Sequence, residues 1–506
     1  VDQIAIDGRI EEQWAIESTN IYPLRRYLVA LTVLIGAGFI AYSVTLAFVW
    51  DEGFHLLAAE LIHQGRTPYI DFCFPQPPLN AYFNAALFSV FGTSWRVTHV
   101  FASLFLAGST YLAADFVLLR LPMNMSLWRW PCVLLVALFT ALNEIVVQFG
   151  PIAQAYASSI FFSVLAFRLM AASVRRNSLL ALFASGVAAS TAAGCTLLTA
   201  PLAPVLLAWL LYYSEAGKRL KEAALFVAGC AVPFIPVLAL LVKGPRQTFF
   251  NVVQYQALFR RVNWGDATSH DFDVFTAWIN SVPTFLLVLF AMFGLAFIRR
   301  QGGWDRIRRA EFYLCGWLGA ALTLYIATAH PTFQRYFIVA VPFYSVLAGV
   351  GFFAVTSHLV DASRPFWPVS LMSGLLVLSV GKELFDNRDS TTWATYNEIA
   401  AKIAKVTPPG AQFYADEQVY FLLGKTPMPG MEFSYSHKLD LPPAKEKLYH
   451  IISEKELNAL VKAGKFATVE SCKEDRIDSM ELPKIFPQQA EIGDCTIFWG
   501  PINRPK

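Results

Sequence analysis

Phe48-Val49-Trp50-Asp51-Glu52 closes the first long apolar run of the chain. It is followed by Gly65-Arg66-Thr67-Pro68-Tyr69-Ile70-Asp71-Phe72, by Pro75-Gln76-Pro77-Pro78 and by an apolar stretch from Leu79 to Phe91 that ends at Gly92. The run from Tyr27 to Trp50 carries no charge and, at ~1.5 Å per residue, is long enough to cross the ~30 Å hydrocarbon layer of a bilayer. Asp51 and Glu52 are thereby pinned at the edge of that layer, where a partly desolvated carboxylate is well placed to accept a proton from a hydroxyl. Read alone, the two acids merely mark a helix end.

Working outward, the same pattern recurs. Of 506 residues, 56% are hydrophobic and 15% charged, against roughly 25% charged in a soluble protein, and the mean hydropathy is +0.46. The chain reads as a polytopic α-helical membrane protein. Residues 1–26 are polar and lack the features of a cleaved signal peptide, so 27–50 is expected to be an uncleaved signal anchor after a cytoplasmic segment. Further spans are expected near 97–119, 131–148, 150–170, 178–197, 198–213, 222–242, 274–298, 311–329, 336–358 and 366–384, about 11 in all. Residues 79–91 are too few to span and suit an interfacial or re-entrant helix. With a cytoplasmic N-terminus, the inner segments hold 16 Lys and Arg and the outer loops between spans only 7, the expected bias. An odd number of spans then puts the C-terminus outside.

From about Phe385 the composition changes. Acidic residues outnumber basic ones, and Pro-Pro pairs at 408–409 and 442–443 mark turns. Residues 385–506 read as a small external soluble α/β domain beside a membrane domain at 27–384. Helices are expected at 392–406 and after Ser453, with strands near 411–415, 467–469 and 494–499. An oxidising compartment permits a Cys472–Cys495 disulfide; two buried thiols are the alternative. The net charge of +3 gives no reason to expect a nucleic-acid partner.

The ordered set in the first long loop resembles the membrane glycosyltransferases of the GT-C fold, in the branch of protein O-mannosyltransferases, lipid A aminoarabinose transferases and rhizobial galacturonosyl transferases. Its parts are the Asp-Glu pair after span one, the Gly-x-x-Pro-Tyr-x-Asp turn, the Gln-Pro-Pro step and the aromatic interfacial helix. Thr332-Phe333-Gln334-Arg335-Tyr336-Phe337 with Pro342, before a late span, adds a second match. The resemblance implies transfer of a sugar from a polyprenyl-phosphate carrier to an envelope acceptor (lipid A or lipopolysaccharide, another glycan, a lipid or a protein) on the outer face, with inversion. It implies an integral protein of a bacterial inner membrane and no cofactor. Asp51 matches the catalytic base and Glu52 the second acid of the pair.

The leaving carrier phosphate needs cations. Arg335, Arg260, Arg261, Gln76 and His330 are the candidates, with His55, Tyr69 and Tyr336 as substrate contacts. Each has a plainer reading: Arg335 as a snorkelling arginine, Arg260 and Arg261 as headgroup contacts in an amphipathic interfacial run, His330 as incidental. Gln76 stands where many relatives have Lys, and His55 where aminoarabinose transferases have Tyr. Gln148 and Gln154 flank Gly150-Pro151 where relatives often have an acid, so either Glu144 serves or the role is absent. No metal cluster is evident, although an Asp-Glu pair can hold a divalent ion. Without a Gly-rich phosphate loop or Rossmann fingerprint, direct use of a nucleotide sugar is disfavoured. A transporter or flippase of lipid-linked saccharide is the competing reading; it predicts ionisable groups at mid-membrane, whereas the charges here gather at span ends.

Overall fold

The computed structural model describes residues 2–45, 51–122, 125–264, 267–301, 304–359, 364–386, 388 and 391–502, with side chains left aside for 2–21 and 267. Phe48, Val49 and Trp50 lie outside the described residues. Among these residues, eight helices are long and apolar enough to cross a bilayer: Tyr22–Thr45, Trp95–Arg120, Tyr156–Arg176, Arg219–Lys243, Val282–Arg300, Arg306–Ala327, Gln334–Leu359 and Phe366–Asp386. The other three expected spans are occupied by shorter apolar helices, Ser126–Ala141, Leu179–Cys195 and Leu197–Tyr213, and Leu79–Phe91 is helical as expected. The first helix begins at Asp2 and runs unbroken to Thr45, so the polar N-terminal segment continues the first span.

The expected span 274–298 is two helices, Ala267–Asn280 and Val282–Arg300, separated by extended Ser281. A continuous helix would bury Pro283 mid-helix without an N–H to donate. Restarting at Val282 places it in the first turn, where none is needed.

Two buried acids gather the arginines assigned to the inner side. Asp115 pairs with Arg168 at 2.7 Å and Arg25 at 3.1 Å; Glu311 pairs with Arg120 and, at 3.2 Å, with Arg175. Helices Val282–Arg300 and Val341–Leu359 pack backbone to backbone at Gly294 and Gly351, where a side chain on either would strike the other helix's main chain, the close approach that small residues allow in membranes.

At the other end, one core joins three stretches distant in sequence: Phe54, Leu57, Tyr69, Phe72 and Phe74 of the first loop, Phe250 and Tyr255 of a second long loop at 243–273, and Tyr396, Tyr414, Phe433 and Ile497 of the C-terminal domain. Stacking of Phe250 on Tyr449 at 4.0 Å and His450 Nε2 against the Ile70 carbonyl at 2.6 Å add to this joint. The loop after the first span and the domain after the last thus share one face. The number of crossings between them is therefore even and the total odd, so the crossing helices are not simply the eight long ones.

The C-terminal domain carries a four-stranded sheet in the order β1-β2-β4-β3, formed by β1 (Phe413–Tyr414), β2 (Thr468–Ser471), β3 (Gln488–Ile492) and β4 (Cys495–Trp499). β1 and β2 are parallel, the other pairs antiparallel. Helices Trp393–Val406 and Glu454–Lys462 lie where the sequence puts them, and Ser453 stands at the N-cap without a side-chain capping bond. Cys472 and Cys495 are disulfide-bonded.

Candidate active site

Asp51 opens the helix Glu52–His63 with helical backbone angles. Successive residues on a helix turn by about 100°, so Asp51 and His55, four apart, share a face while Glu52 points elsewhere. Asp51 and His55 line a cavity of about 930 Å³, and Glu52 is not among its lining residues.

Both Asp51 oxygens are held. Arg335 Nη2 donates to Oδ2 at 2.6 Å, and Tyr435 Oη donates to Oδ1 at 2.8 Å. The carboxylate and the guanidinium remain 18% and 21% exposed, respectively. Arg335 comes from a 3₁₀ turn, Gln334–Ala340, and its guanidinium lies 4.4 Å from the centre of the Phe333 ring, which fixes its plane as well as its charge. Arg260 donates to the Pro331 carbonyl at 2.7 Å and to the Tyr336 hydroxyl. His330 pairs with Asp271, which also accepts from the Thr332 amide at 2.6 Å. The second loop is thereby tied to the turn that presents Arg335.

Of the residues predicted from sequence, Asp51, His55, Gln76, Arg260, Arg261, His330, Arg335 and Tyr336 line this one cavity. Two are elsewhere. Glu52, predicted as catalytic, is fully buried and accepts from the Ala153 amide at 2.7 Å, Trp393 Nε1 at 3.1 Å and His99. It joins the start of its helix to the helix Trp95–Arg120, to the 150–155 loop and to the C-terminal domain. Tyr69, predicted as a substrate contact, is buried at φ 70° and donates to the Gln76 carbonyl at 2.6 Å, shaping the turn behind Gln76. Glu144 is also absent from the lining and faces Gln334 at 3.4 Å.

The sequence reading missed Tyr156, Tyr435 and Lys438, and gave Gln154 no role. All four line the cavity. Lys438 donates to the carbonyls of Arg260 at 2.8 Å and Val262 at 3.1 Å. Burial, and then the charge of Arg260, lower its ammonium below the ordinary lysine value. The one local signal for the pair from the C-terminal domain is the aromatic, hydroxylic run Phe433-Ser434-Tyr435-Ser436-His437-Lys438.

His55 is 6% exposed with Nδ1 unpartnered, and Gln154 is 3% exposed with Nε2 unpartnered. Burial pushes the His55 imidazole down to about 4, so at neutral pH it is an uncharged ring with a free nitrogen. Two buried polar atoms without partners in the lining of one cavity suit a polyhydroxylated ligand. Leu197, Leu198, Val252, Val253 and Ala257 add apolar surface to the lining. The lining holds four basic side chains, Arg260, Arg261, Arg335 and Lys438, against one acid, Asp51, a balance suited to an anion.

Glu52, engaged by His99, the Ala153 amide and Trp393, does not face the cavity beside Asp51. Among the described residues, the one His/Cys/Asp/Glu group with ligand-like spacing is Glu470, Cys472 and Cys495, whose two sulfurs are bonded to each other.

No protein-family model and no curated protein sequence matches the chain. Solved structures do. ArnT from Cupriavidus metallidurans bound to undecaprenyl phosphate superposes with a TM-score of 0.64 at 15% identity, over 93% of this chain and 97% of that one. Its apo state gives 0.61 at 16% identity over the same shares. The Archaeoglobus fulgidus oligosaccharyltransferase in complex with Zn and sulfate gives 0.51 at 14% identity, over 88% of this chain and 67% of that one. At these identities the likeness speaks to architecture, and the chain has the GT-C fold that the motifs of its first loop implied.

Proposed function

We propose that this protein is an inverting glycosyltransferase that moves a sugar from a polyprenyl-phosphate carrier to a hydroxyl-bearing envelope acceptor on the outer face of a bacterial inner membrane. The observation that carries the reading is Asp51, held between Arg335 and Tyr435, in a cavity whose lining combines basic, polar and apolar side chains. The solved neighbour bound to undecaprenyl phosphate supports the choice of carrier.

Asp51 acts as general base. The acceptor O–H gives its proton to the carboxylate as the oxygen attacks the anomeric carbon. The bond from that carbon to the phosphate oxygen breaks with its electron pair, releasing polyprenyl phosphate with one more negative charge. Arg335, Arg260 and Arg261 stabilise that developing charge, and no acid need protonate the leaving group. Gln76 donates a neutral hydrogen bond where a cation would bring charge, so the arginines carry more of the task. His55 and Gln154 meet the sugar hydroxyls. Glu52 positions Asp51 by locking the start of its helix.

The test is release of polyprenyl phosphate by purified protein offered a panel of undecaprenyl-phosphate sugars and envelope glycolipid acceptors. Wild type turns over at least one pair, and Asp51→Asn loses about 10²- to 10⁴-fold in rate. Equal turnover by both proteins defeats the assignment.

A further inference from the structure

The base and the cavity depend on a part of the chain far removed in sequence. Tyr435, 384 residues from Asp51, donates to it. The Tyr435 carbonyl accepts from Tyr255 Oη at 3.2 Å, and Phe433 packs edge-on against Phe54 at 5.0 Å. The Ser434 amide donates to Glu417 at 2.6 Å, fastening this segment to the body of the C-terminal domain. It is thus wedged between the helix of the base and the helix Phe250–Phe259, and its Phe433, Tyr435 and Lys438 all line the cavity.

The Tyr435 hydroxyl meets a carboxylate oxygen, where a mere packing ring would present carbon. Lys438 has three N–H donors, and two are used on loop carbonyls, leaving a third on an ammonium that lines the cavity. Gln256, one turn before Arg260 on the same element, donates to the Pro75 carbonyl at 2.6 Å. Lys438 and the Pro75-Gln76 step are thereby brought to neighbouring turns at the end of that helix, beside Arg260.

We infer that the C-terminal domain supplies two working residues to the site: Tyr435 as a positioning residue that aims the Asp51 carboxylate, and Lys438 as a ligand for the carrier's phosphate. This rests on the transferase reading and deepens it, because a domain that only docks elsewhere in the envelope has no need to touch the base.

The experiment measures kcat and donor KM for release of polyprenyl phosphate, and binding of undecaprenyl phosphate to the same purified full-length proteins. Tyr435→Phe keeps the ring and its packing but removes the donor; it lowers kcat about 10- to 100-fold with donor KM unchanged. Lys438→Gln keeps a donor for the loop carbonyls but removes the charge. It raises donor KM and the Kd for undecaprenyl phosphate about 10-fold with kcat little changed, and Lys438→Arg restores both. If wild type turns over but Tyr435→Phe and Lys438→Gln match it, the inference falls and the transferase reading stands. Loss of folded protein in Lys438→Gln, with no recovery of binding in Lys438→Arg, shows Lys438 to be a strut and overturns its assignment. A wild type silent toward every donor overturns both readings.

Discussion

Acid–arginine clusters sit at both ends of this molecule, in different surroundings. Glu311 is fully buried between Arg120 and Arg175, and neither it nor Asp115 lines the cavity. Asp51 meets Arg335 at 2.6 Å, yet both keep about a fifth of their surface open to a 930 Å³ cavity. Pairing alone therefore does not mark a catalytic acid. The difference lies in what surrounds the pair: at one end packed helices, at the other free volume, unpartnered His55 and Gln154, and surplus positive charge.

The contrast is broken most severely if the two acids give the same phenotype. Asp51→Asn is expected to cost the most, about 10²- to 10⁴-fold in turnover, while thermal unfolding moves little because the amide preserves the packing. Glu311→Ala is expected to invert that pattern: leaving two arginines without their shared partner costs about 3–5 kcal/mol, read as a lower unfolding temperature, with turnover per folded molecule unchanged. Arg335→Lys keeps the charge but loses the planar fork and its seat on Phe333. A rate loss of about 10- to 100-fold, uncorrected by raising donor concentration, separates orientation of the base from simple charge.

The smallest effect concerns pH. Burial lowers the His55 imidazole to about 4 in the folded chain, against ~6.5 unfolded. Below pH ~6.5 the unfolded chain takes up a proton that the folded site refuses. Stability therefore falls as pH drops from ~6.5 toward 4, by at most about 3 kcal/mol from this residue. His437 is lowered to about 4 for the same chief reason. His55→Phe should flatten the dependence in part, as thermal unfolding at pH 7 and pH 5 will show; an unchanged slope means the imidazole is solvated.

Membrane architecture was legible in the sequence because twenty-residue apolar runs have few readings, and Asp51 and Arg335 were legible because each sits in an ordered local pattern at a span end. The roles of Glu52 and Tyr69 were not. One position along a helix turns a side chain by about 100°, so Glu52, adjacent to Asp51, belongs to another face, and Tyr69 belongs to the turn it supports. Strand β3 escaped notice because Gln488-Gln489-Ala490-Glu491-Ile492 is a largely exposed edge without the apolar alternation of a half-buried strand. Tyr435 and Lys438 escaped because their partners lie 384 and 178 residues away, and no local spacing encodes a contact made only when three separate stretches condense into one core.

That shared core also sets a schedule for the molecule's birth. Asp51 leaves the ribosome early, but Tyr435, Lys438 and the strands that hold them follow some 400 residues later, about 20 to 80 s at ordinary rates of elongation. Until then the base faces a half-built chamber without its hydroxyl partner or its last wall. A chain that stops at the final membrane helix lacks Phe433, Tyr435 and Lys438 of the cavity lining, so the chamber is walled only when synthesis is nearly complete.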